Sequence, residues 1–170
     1  MGNFIELTNG SNVRIHMSNG ATSAFITIIG LSGSRLAKTE NEKRLIVWIM
    51  EKDQSKIGIG TIGISMSEMP WTKYDLKNEK LFLLNVVNSA KRKLGWDTLN
   101  YDPNEEIIFS VLDDFRDMIM RFESQYIDEE AINEWLNASD KAESMFNNFP
   151  LCKKHKILLS CFGCHACNDK

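Results

Sequence analysis

The spacing of apolar residues changes along the chain, and this change constrains the fold more than any other feature of the sequence. Up to about residue 66, short apolar or alternating runs lie between turn signals, which predicts β-strands. Strands are expected at 4–7, 13–17, 24–29, 45–50 and 57–66, with a loop at 32–43 and, as an alternative to the fourth strand, a helix over 36–52. Short loops join most of these runs, which predicts antiparallel pairing, because parallel neighbours need a long crossover.

The second half of the chain has the period of helices. From residue 81 onward, apolar residues recur every three or four positions. Helices are predicted from 81 to a stop at Gly95, from Pro103 after a capping Asp102, from Asp128, and from 139 or 140 to just before Pro150. Strands followed by helices predict an α+β fold, with an N-terminal antiparallel sheet of four or five strands and three or four helices packed on one of its faces. We expect residues 1–150 to form a single domain and 151–170 a short tail packed on it.

Composition sets the class and the expected location of the protein. The 170 residues suffice for one substantial core, and 43% hydrophobic with 25% charged residues is typical of a globular protein. No apolar run approaches the roughly 20 residues that cross a bilayer. The first residues lack the basic and apolar regions of a signal peptide. We therefore expect a cytoplasmic protein that is not inserted in a membrane, and nothing in the sequence predicts its oligomeric state.

Every cysteine of the chain lies within its last nineteen residues. A disulfide framework would be spread along the chain, so this crowding favours a metal site. Cys152 and His155, and then Cys164 and Cys167, are pairs separated by two residues, the spacing at which one tight turn directs both donors to the same ion. Three sulfurs and one nitrogen fill a tetrahedral shell. The sequence therefore predicts a closed, structural zinc site formed by these four residues.

Other interpretations of the tail remain open. Cys161 and Cys164 form an equally good pair, but the pair of Cys164 and Cys167 leaves a longer return loop. His165 lies inside the second turn and is expected to point outward. A metal-free thiol cluster or a redox-active tail is the alternative to zinc. The pattern resembles the zinc knuckles and ribbons of many bacterial proteins; that resemblance covers only the last nineteen residues and implies no particular function.

Charge is distributed unevenly along the chain. Residues 97–149 contain fourteen acidic and three basic residues, whereas the segments on both sides are net basic. Such a field steers partners of opposite charge. The preferred hypothesis is a non-enzymatic module that binds a basic protein partner, as toxin-neutralising immunity proteins do. The candidate partner-binding residues are the acids expected on the solvent side of the helices, namely Asp113, Asp114, Asp117, Glu123, Glu129, Glu130 and Glu134. The alternative is a solvated face whose acids pair with lysines of the same fold.

Two further functions are weaker alternatives. Lys153, Lys154 and Lys156 lie beside the metal-binding pairs, which would suit a nucleic-acid-associated regulator. Nucleic acid is nevertheless not the favoured partner, since the sequence pI is 5.7 and no basic–aromatic pattern is present. The second alternative is a small enzyme with a polar site near Asp53 and Glu68.

A glycine pattern and the catalytic candidates add little to these hypotheses. Gly58, Gly60 and Gly63 match the dinucleotide-binding spacing, but Pro70 follows too closely for the helix whose N-terminus would face a pyrophosphate. No serine–histidine–aspartate set or defensible carboxylate pair is present. The sequence therefore predicts no catalytic residue and favours a protein that is not an enzyme.

Overall fold

The protein combines helices with a small sheet. The computed structural model describes residues 3–55, 58–61, 63–138 and 148–167. For Thr61 it describes the backbone but not the side chain. The strands are β1 (Asn3–Glu6), β2 (Arg14–Met17), β3 (Asp53–Gln54), β4 (Gly60–Thr61) and β5 (Ile64–Ser65), and the helices are α1 (Asn19–Leu36), α2 (Glu40–Met50), α3 (Leu76–Lys91), α4 (Glu105–Arg121) and α5 (Glu129–Leu136). The largest sheet in the described ranges has three strands in the order β2-β1-β5, fewer than the four or five predicted. A separate two-stranded ladder joins β3 and β4.

The main sheet is built on an N-terminal hairpin. β1 and β2 pair antiparallel, with Ile5 opposite Ile15, as the apolar runs and the turn between them predicted. Gly10 supplies the positive φ of 78° within that turn. The pairing of β1 with β5, by contrast, is parallel, with Ile5 beside Ile64. The expectation of antiparallel neighbours is wrong at this edge, because two helices separate the paired strands along the chain.

Residues 24–29 lie in a helix, so the strand predicted for them is wrong. They belong to α1, whose first turn is capped by Ser18, since its hydroxyl accepts a hydrogen bond from the Ala21 N–H at 3.1 Å. α1 packs against α2, α3, α4 and β2, and from Phe25 to Ser34 every residue is buried. A helix enclosed in this way has no polar face, so its apolar run resembles that of a buried strand.

Residues 45–50 are also helical, which makes the strand interpretation wrong and the alternative helix right. α2 begins with a capping box, in which Thr39 Oγ1 accepts from the Glu42 N–H and the Glu42 carboxylate accepts from the Thr39 N–H. The expected loop at 32–43 is therefore too long, because α1 extends to Leu36 and α2 begins at Glu40. α1 and α2 approach closely at Gly33, where an added Cβ would lie 2.2 Å from Ile46 Cδ1. This packing overrides the strand propensity of the β-branched residues in α2.

The other three helices overlap predicted ones. α3 begins at Leu76, before the predicted start at residue 81, and two of the boundary signals act differently. Gly95, with φ of 84°, precedes a 3-10 turn rather than ending α3 directly. α4 is capped by Asn104 and not by Asp102, while Asp128 caps α5 as predicted by accepting from the Ala131 N–H. The helix expected from 139 or 140 falls outside the described residues. No helix in the described ranges has both the length and the apolar character needed to cross a membrane.

The C-terminal segment is packed into the core that the helices form. Ile157 and Leu158 are fully or almost fully buried within the main apolar cluster. The Leu158 N–H donates to Ser34 Oγ on α1 at 2.9 Å. Leu151 and Leu158 also form an antiparallel bridge, which closes the chain around the first cysteine. These contacts hold the cysteine- and histidine-bearing turns beside α1.

Candidate metal centre

Two short turns of similar construction carry the predicted metal ligands. In the first, the backbone N–H of His155 donates to Cys152 Sγ at 3.5 Å. In the second, the backbone N–H of Cys167 donates to Cys164 Sγ at 3.4 Å. Gly163 precedes the second turn with φ of 81°, a conformation that favours glycine. Each turn therefore fixes one thiol through the residue three positions later and directs two side chains to the same point.

The four donor atoms converge. The three sulfurs and His155 Nδ1 all lie within 4.8 Å of one another. Nδ1 is 3.7 Å from the Sγ of Cys152, 3.6 Å from that of Cys164 and 3.3 Å from that of Cys167, and the first and last of these sulfurs are 3.6 Å apart. Ideal tetrahedral coordination with zinc bond lengths gives about 3.5 Å between nitrogen and sulfur and about 3.8 Å between sulfurs. Cys152, His155, Cys164 and Cys167 can therefore bind a metal ion.

Cys161 does not take part in this convergence. Its side chain is exposed, and it is not a member of the group of close donors. The structure thus assembles the pair of Cys164 and Cys167 and not the alternative pair that includes Cys161. None of the four cysteines forms a disulfide.

The thiols differ in how readily they lose a proton. Burial opposes ionisation of Cys152, but hydrogen bonds from His155 and from the backbone of Lys154 outweigh it and lower the pKa of this thiol to about 6. Burial raises the pKa of Cys164 to about 12, and the neighbouring thiols of Cys152 and Cys167 add to the increase. Three thiols this close cannot all ionise without a compensating charge. A divalent cation would supply that charge, because a coordinated thiol is deprotonated.

His165, between the two ligands of the second turn, points into the protein. The expectation that it faces outward is wrong, since only 3% of it is exposed. Its Nε2 lies 3.2 Å from Asp53 Oδ2, within ion-pair distance although the two groups are not aligned for a hydrogen bond. The His165 side chain thus lies in the interior beside the buried Asp53 carboxylate on β3. His165 therefore connects the two cysteine-bearing turns to the rest of the fold, which sequence spacing did not indicate.

Asp53 is a buried carboxylate with several partners. Its Oδ2 accepts from Ser23 Oγ at 2.5 Å and its Oδ1 from the Ser55 N–H at 3.1 Å. Burial would raise the pKa of Asp53, but the contacts with His165, Ser23 and Ser55 hold it well below its ordinary value of 3.8. Glu68, its proposed neighbour in a polar site, accepts instead from Asn9 Nδ2 at 3.0 Å. Each of the two acids thus has hydrogen-bond partners of its own among the described residues.

The seven candidate partner-binding acids are all exposed, but they do not form one uniform group. Asp113 pairs with Lys91 at 2.6 Å and Glu129 with Lys73 at 2.9 Å. The remaining five, for which the structure shows no ion pair with another described residue, are Asp114, Asp117, Glu123, Glu130 and Glu134. Asp114 and Asp117 line a shallow cleft together with two arginines, Arg14 and Arg121. Pairing within the fold therefore accounts for part of the acidic segment.

Comparison with known proteins does not extend these findings. No protein-family model, no curated protein and no solved structure matches the chain. The function must therefore be inferred from the residues themselves.

Proposed function

We propose that this protein is a non-enzymatic, zinc-stabilised module that binds a basic protein partner. The observation that carries the proposal is the convergence of three thiols and one imidazole at tetrahedral spacing. Soft thiolate and imidazole donors suit zinc. Four protein ligands leave no open position for a substrate or a water molecule, which is typical of a structural site rather than a catalytic one.

A structural role for zinc also agrees with the composition of the tail. Apart from Ile157 and Leu158, few apolar side chains of the metal-binding turns are deeply buried. Metal binding to such segments contributes on the order of 10 kcal/mol to their folding. Zinc would thus fix the turns against α1 and seat His165 beside Asp53.

The partner-binding part of the proposal rests on the five acids without ion pairs. These five exposed carboxylates form no ion pair with a described lysine or arginine, and they are Asp114, Asp117, Glu123, Glu130 and Glu134. Glu130 and Glu134 on α5 are one helical turn apart, a spacing at which like charges are mildly unfavourable. A basic partner would relieve this repulsion, in the manner of an immunity-type protein that neutralises a basic toxin.

The zinc part is tested by elemental analysis of protein purified without chelator. We expect close to one zinc per chain, and a clear loss of zinc from the Cys152→Ser, Cys164→Ser and Cys167→Ser variants and from His155→Ala. Cys161→Ser is the matched control, since its thiol lies outside the cluster, and it should retain the metal. Metal-free wild-type protein, or equal loss from the control, would contradict the assignment.

The partner part is tested with two sets of charge-neutralising changes. The first set changes all five unpaired acids to their amides, and the control set changes the ion-paired Asp113 and Glu129. Wild-type protein is used to capture a partner from lysate of the source cells, and association rates are then measured at several salt concentrations. We expect the first set to slow association steeply and leave thermal stability unchanged, because exposed charges contribute about 0–1 kcal/mol each. The control set should lose some stability and associate faster than the first set; equal association by wild type and first set would refute the proposal.

A nucleic-acid-associated regulator is the second candidate, because Lys153, Lys154 and Lys156 of the first metal-binding turn are all exposed. The same capture experiment separates it from the first. A partner that is retained after nuclease treatment favours the acidic surface. Recovery that depends on nucleic acid, and that is lost on changing these lysines to glutamine, favours the basic turn.

A further inference from the structure

Solvent reaches the four side chains of the candidate metal centre to different extents. Cys167 is exposed and Cys152 is partly buried, whereas Cys164 and His155 are buried. The reaction of a thiolate with an oxidant in solution requires access to its sulfur. An oxidant would therefore meet the sulfur of Cys167 before those of the other ligands.

A second accessible sulfur lies beside that of Cys167. The Sγ atoms of Cys152 and Cys167 are 3.6 Å apart, so an approach of about 1.5 Å would bring them to the length of a disulfide bond. These two cysteines are fifteen residues apart in the sequence, so a bond between them would join the two metal-binding turns. Cys164, by contrast, belongs to the main apolar cluster and is held on the inner side of the site.

The backbone around both turns is held by hydrogen bonds that do not involve a metal ion. In the first turn, the N–H of Cys152 donates to the carbonyl of Ile157 at 2.8 Å. Just before the second turn, Ser160 and Gly163 exchange backbone hydrogen bonds of 3.2 and 2.9 Å. These contacts keep the two turns in place, so the sulfurs of Cys152 and Cys167 stay close together after one of them has reacted.

We propose that the metal centre is a peroxide-sensitive switch, in which oxidation joins Cys152 to Cys167 and releases zinc. The Cys167 thiolate attacks hydrogen peroxide, so that an S–O bond forms, the O–O bond breaks and hydroxide leaves. The Cys152 thiolate then attacks the resulting sulfenic sulfur and displaces a second hydroxide. The two thiolates lose two electrons to one peroxide, and both hydroxides take up protons from the solvent and become water.

The disulfide removes two of the four donors from the site. The thiolate is the form of cysteine that binds a metal, and neither sulfur of a disulfide is a thiolate. Cys164 and His155 alone do not complete the four ligands of a structural zinc site, so the ion leaves. Reduction of the bond restores both thiolates, which makes the change reversible. This switch rests on the zinc site of the proposed function and describes how that site is regulated.

The first test exposes the zinc-loaded chain to hydrogen peroxide. Released zinc is measured with a coloured chelator, and the remaining thiols are titrated after denaturation. We expect the loss of one zinc and of two of the four thiols per chain, and a mass of the denatured, metal-free chain that is lower by two hydrogen atoms. Removal of zinc by a chelator without oxygen is the control and should leave every thiol intact. Zinc release that accompanies the addition of oxygen atoms to the cysteines, without a disulfide, would overturn the proposal.

Peptide mapping locates the new bond. Trypsin cleaves after three lysines that separate Cys152 from the other cysteines, namely Lys153, Lys154 and Lys156. A bond from Cys152 to the second turn therefore joins two tryptic peptides, and fragmentation of the joined pair should place its other end at Cys167. A bond confined to the second peptide, or one from Cys152 to Cys161 or Cys164, would contradict the proposed pairing and overturn the proposal.

Cys161→Ser is the matched variant, because this thiol is exposed but is not one of the converging donors. It should release zinc at a rate similar to that of wild type and again lose two thiols, and treatment with a reductant and zinc should restore both. Retention of zinc under conditions that strip the wild type would identify Cys161 as the attacking thiol and overturn the proposal. Wild-type protein purified without zinc would contradict both the zinc site and the switch, whereas zinc-loaded protein that resists peroxide would contradict only the switch.

Discussion

Replacing Glu79 by glutamine keeps the shape of the side chain and removes its charge. In the wild-type protein this carboxyl is buried, and its pKa rises from the ordinary 4.5 to about 7. The folded state therefore holds the proton more tightly than the unfolded state. Below about pH 4.5 this group does not affect the stability of the wild-type protein, because it is protonated in both states. The stability falls as the pH rises from about 4.5 to about 7, and it stays lowered above that value. The glutamine variant lacks this dependence.

The size of the change in unfolding free energy follows from the same two pKa values. Each tenfold change in proton affinity is worth about 1.36 kcal/mol, so a rise from 4.5 to about 7 lowers the unfolding free energy by at most about 3 kcal/mol at pH 8. At pH 5 the same linkage leaves a loss of only about 1 kcal/mol. Glutamine can still accept from the Thr72 N–H and can offer an N–H to the buried Thr72 hydroxyl. We therefore expect Glu79→Gln to be more stable than wild type at pH 8, with a melting temperature higher by about 5–10 °C.

The assay is chemical unfolding of both proteins at pH 5 and pH 8. Zinc binding itself weakens at acidic pH, so each comparison is made between wild type and variant at one pH. Lys38, Glu42 and Asp75, the charged residues that line a surface cavity together with Glu79, are the same in both proteins. Glu123→Gln is the control, and its difference from wild type should be small at either pH. A Glu79→Gln variant that is less stable than wild type at pH 8, or whose advantage is the same at pH 5, would refute the reasoning.

Two further changes test the packing around α1 and the contact between the tail and β3. Gly33→Ala would bring a methyl group to 2.2 Å from Ile46 Cδ1, so we expect it to lower the unfolding free energy by about 1–3 kcal/mol. Gly20→Ala is the control, because the space around Gly20 is open. Its melting temperature should stay close to that of wild type. Asp53→Asn weakens the contacts of a buried carboxylate with Ser23 and with buried His165. We expect this change to lower the unfolding free energy by about 2–4 kcal/mol in chemical unfolding and to weaken zinc retention against a chelator. Unchanged zinc retention in a destabilised Asp53→Asn protein would show that the buried contact does not support the metal site.

Features that depend on neighbours along the chain could be predicted from the sequence. Cys152, His155, Cys164 and Cys167 were identified because a two-residue spacing within a tight turn fixes where both donors point. The hairpin of β1 and β2 and the cap at Asp128 are local in the same sense. The capping box at Thr39 and Glu42 was equally local, and it would have identified α2 had it been weighed against the β-branched residues that follow it.

Features that depend on partners distant in sequence were decided by the tertiary structure alone. An apolar run such as 24–29 suits a buried strand or an enclosed helix equally, and only the surrounding helices made it part of α1. The inward position of His165 depends on Asp53, and the parallel pairing of β1 with β5 depends on the path through two helices. Glu79 gave a partial signal, since it falls on the apolar stripe of α3 with Leu83, Val86 and Ala90. Its burial arises from the way α3 packs, because the free energy of burial is set by contacts that no local pattern contains.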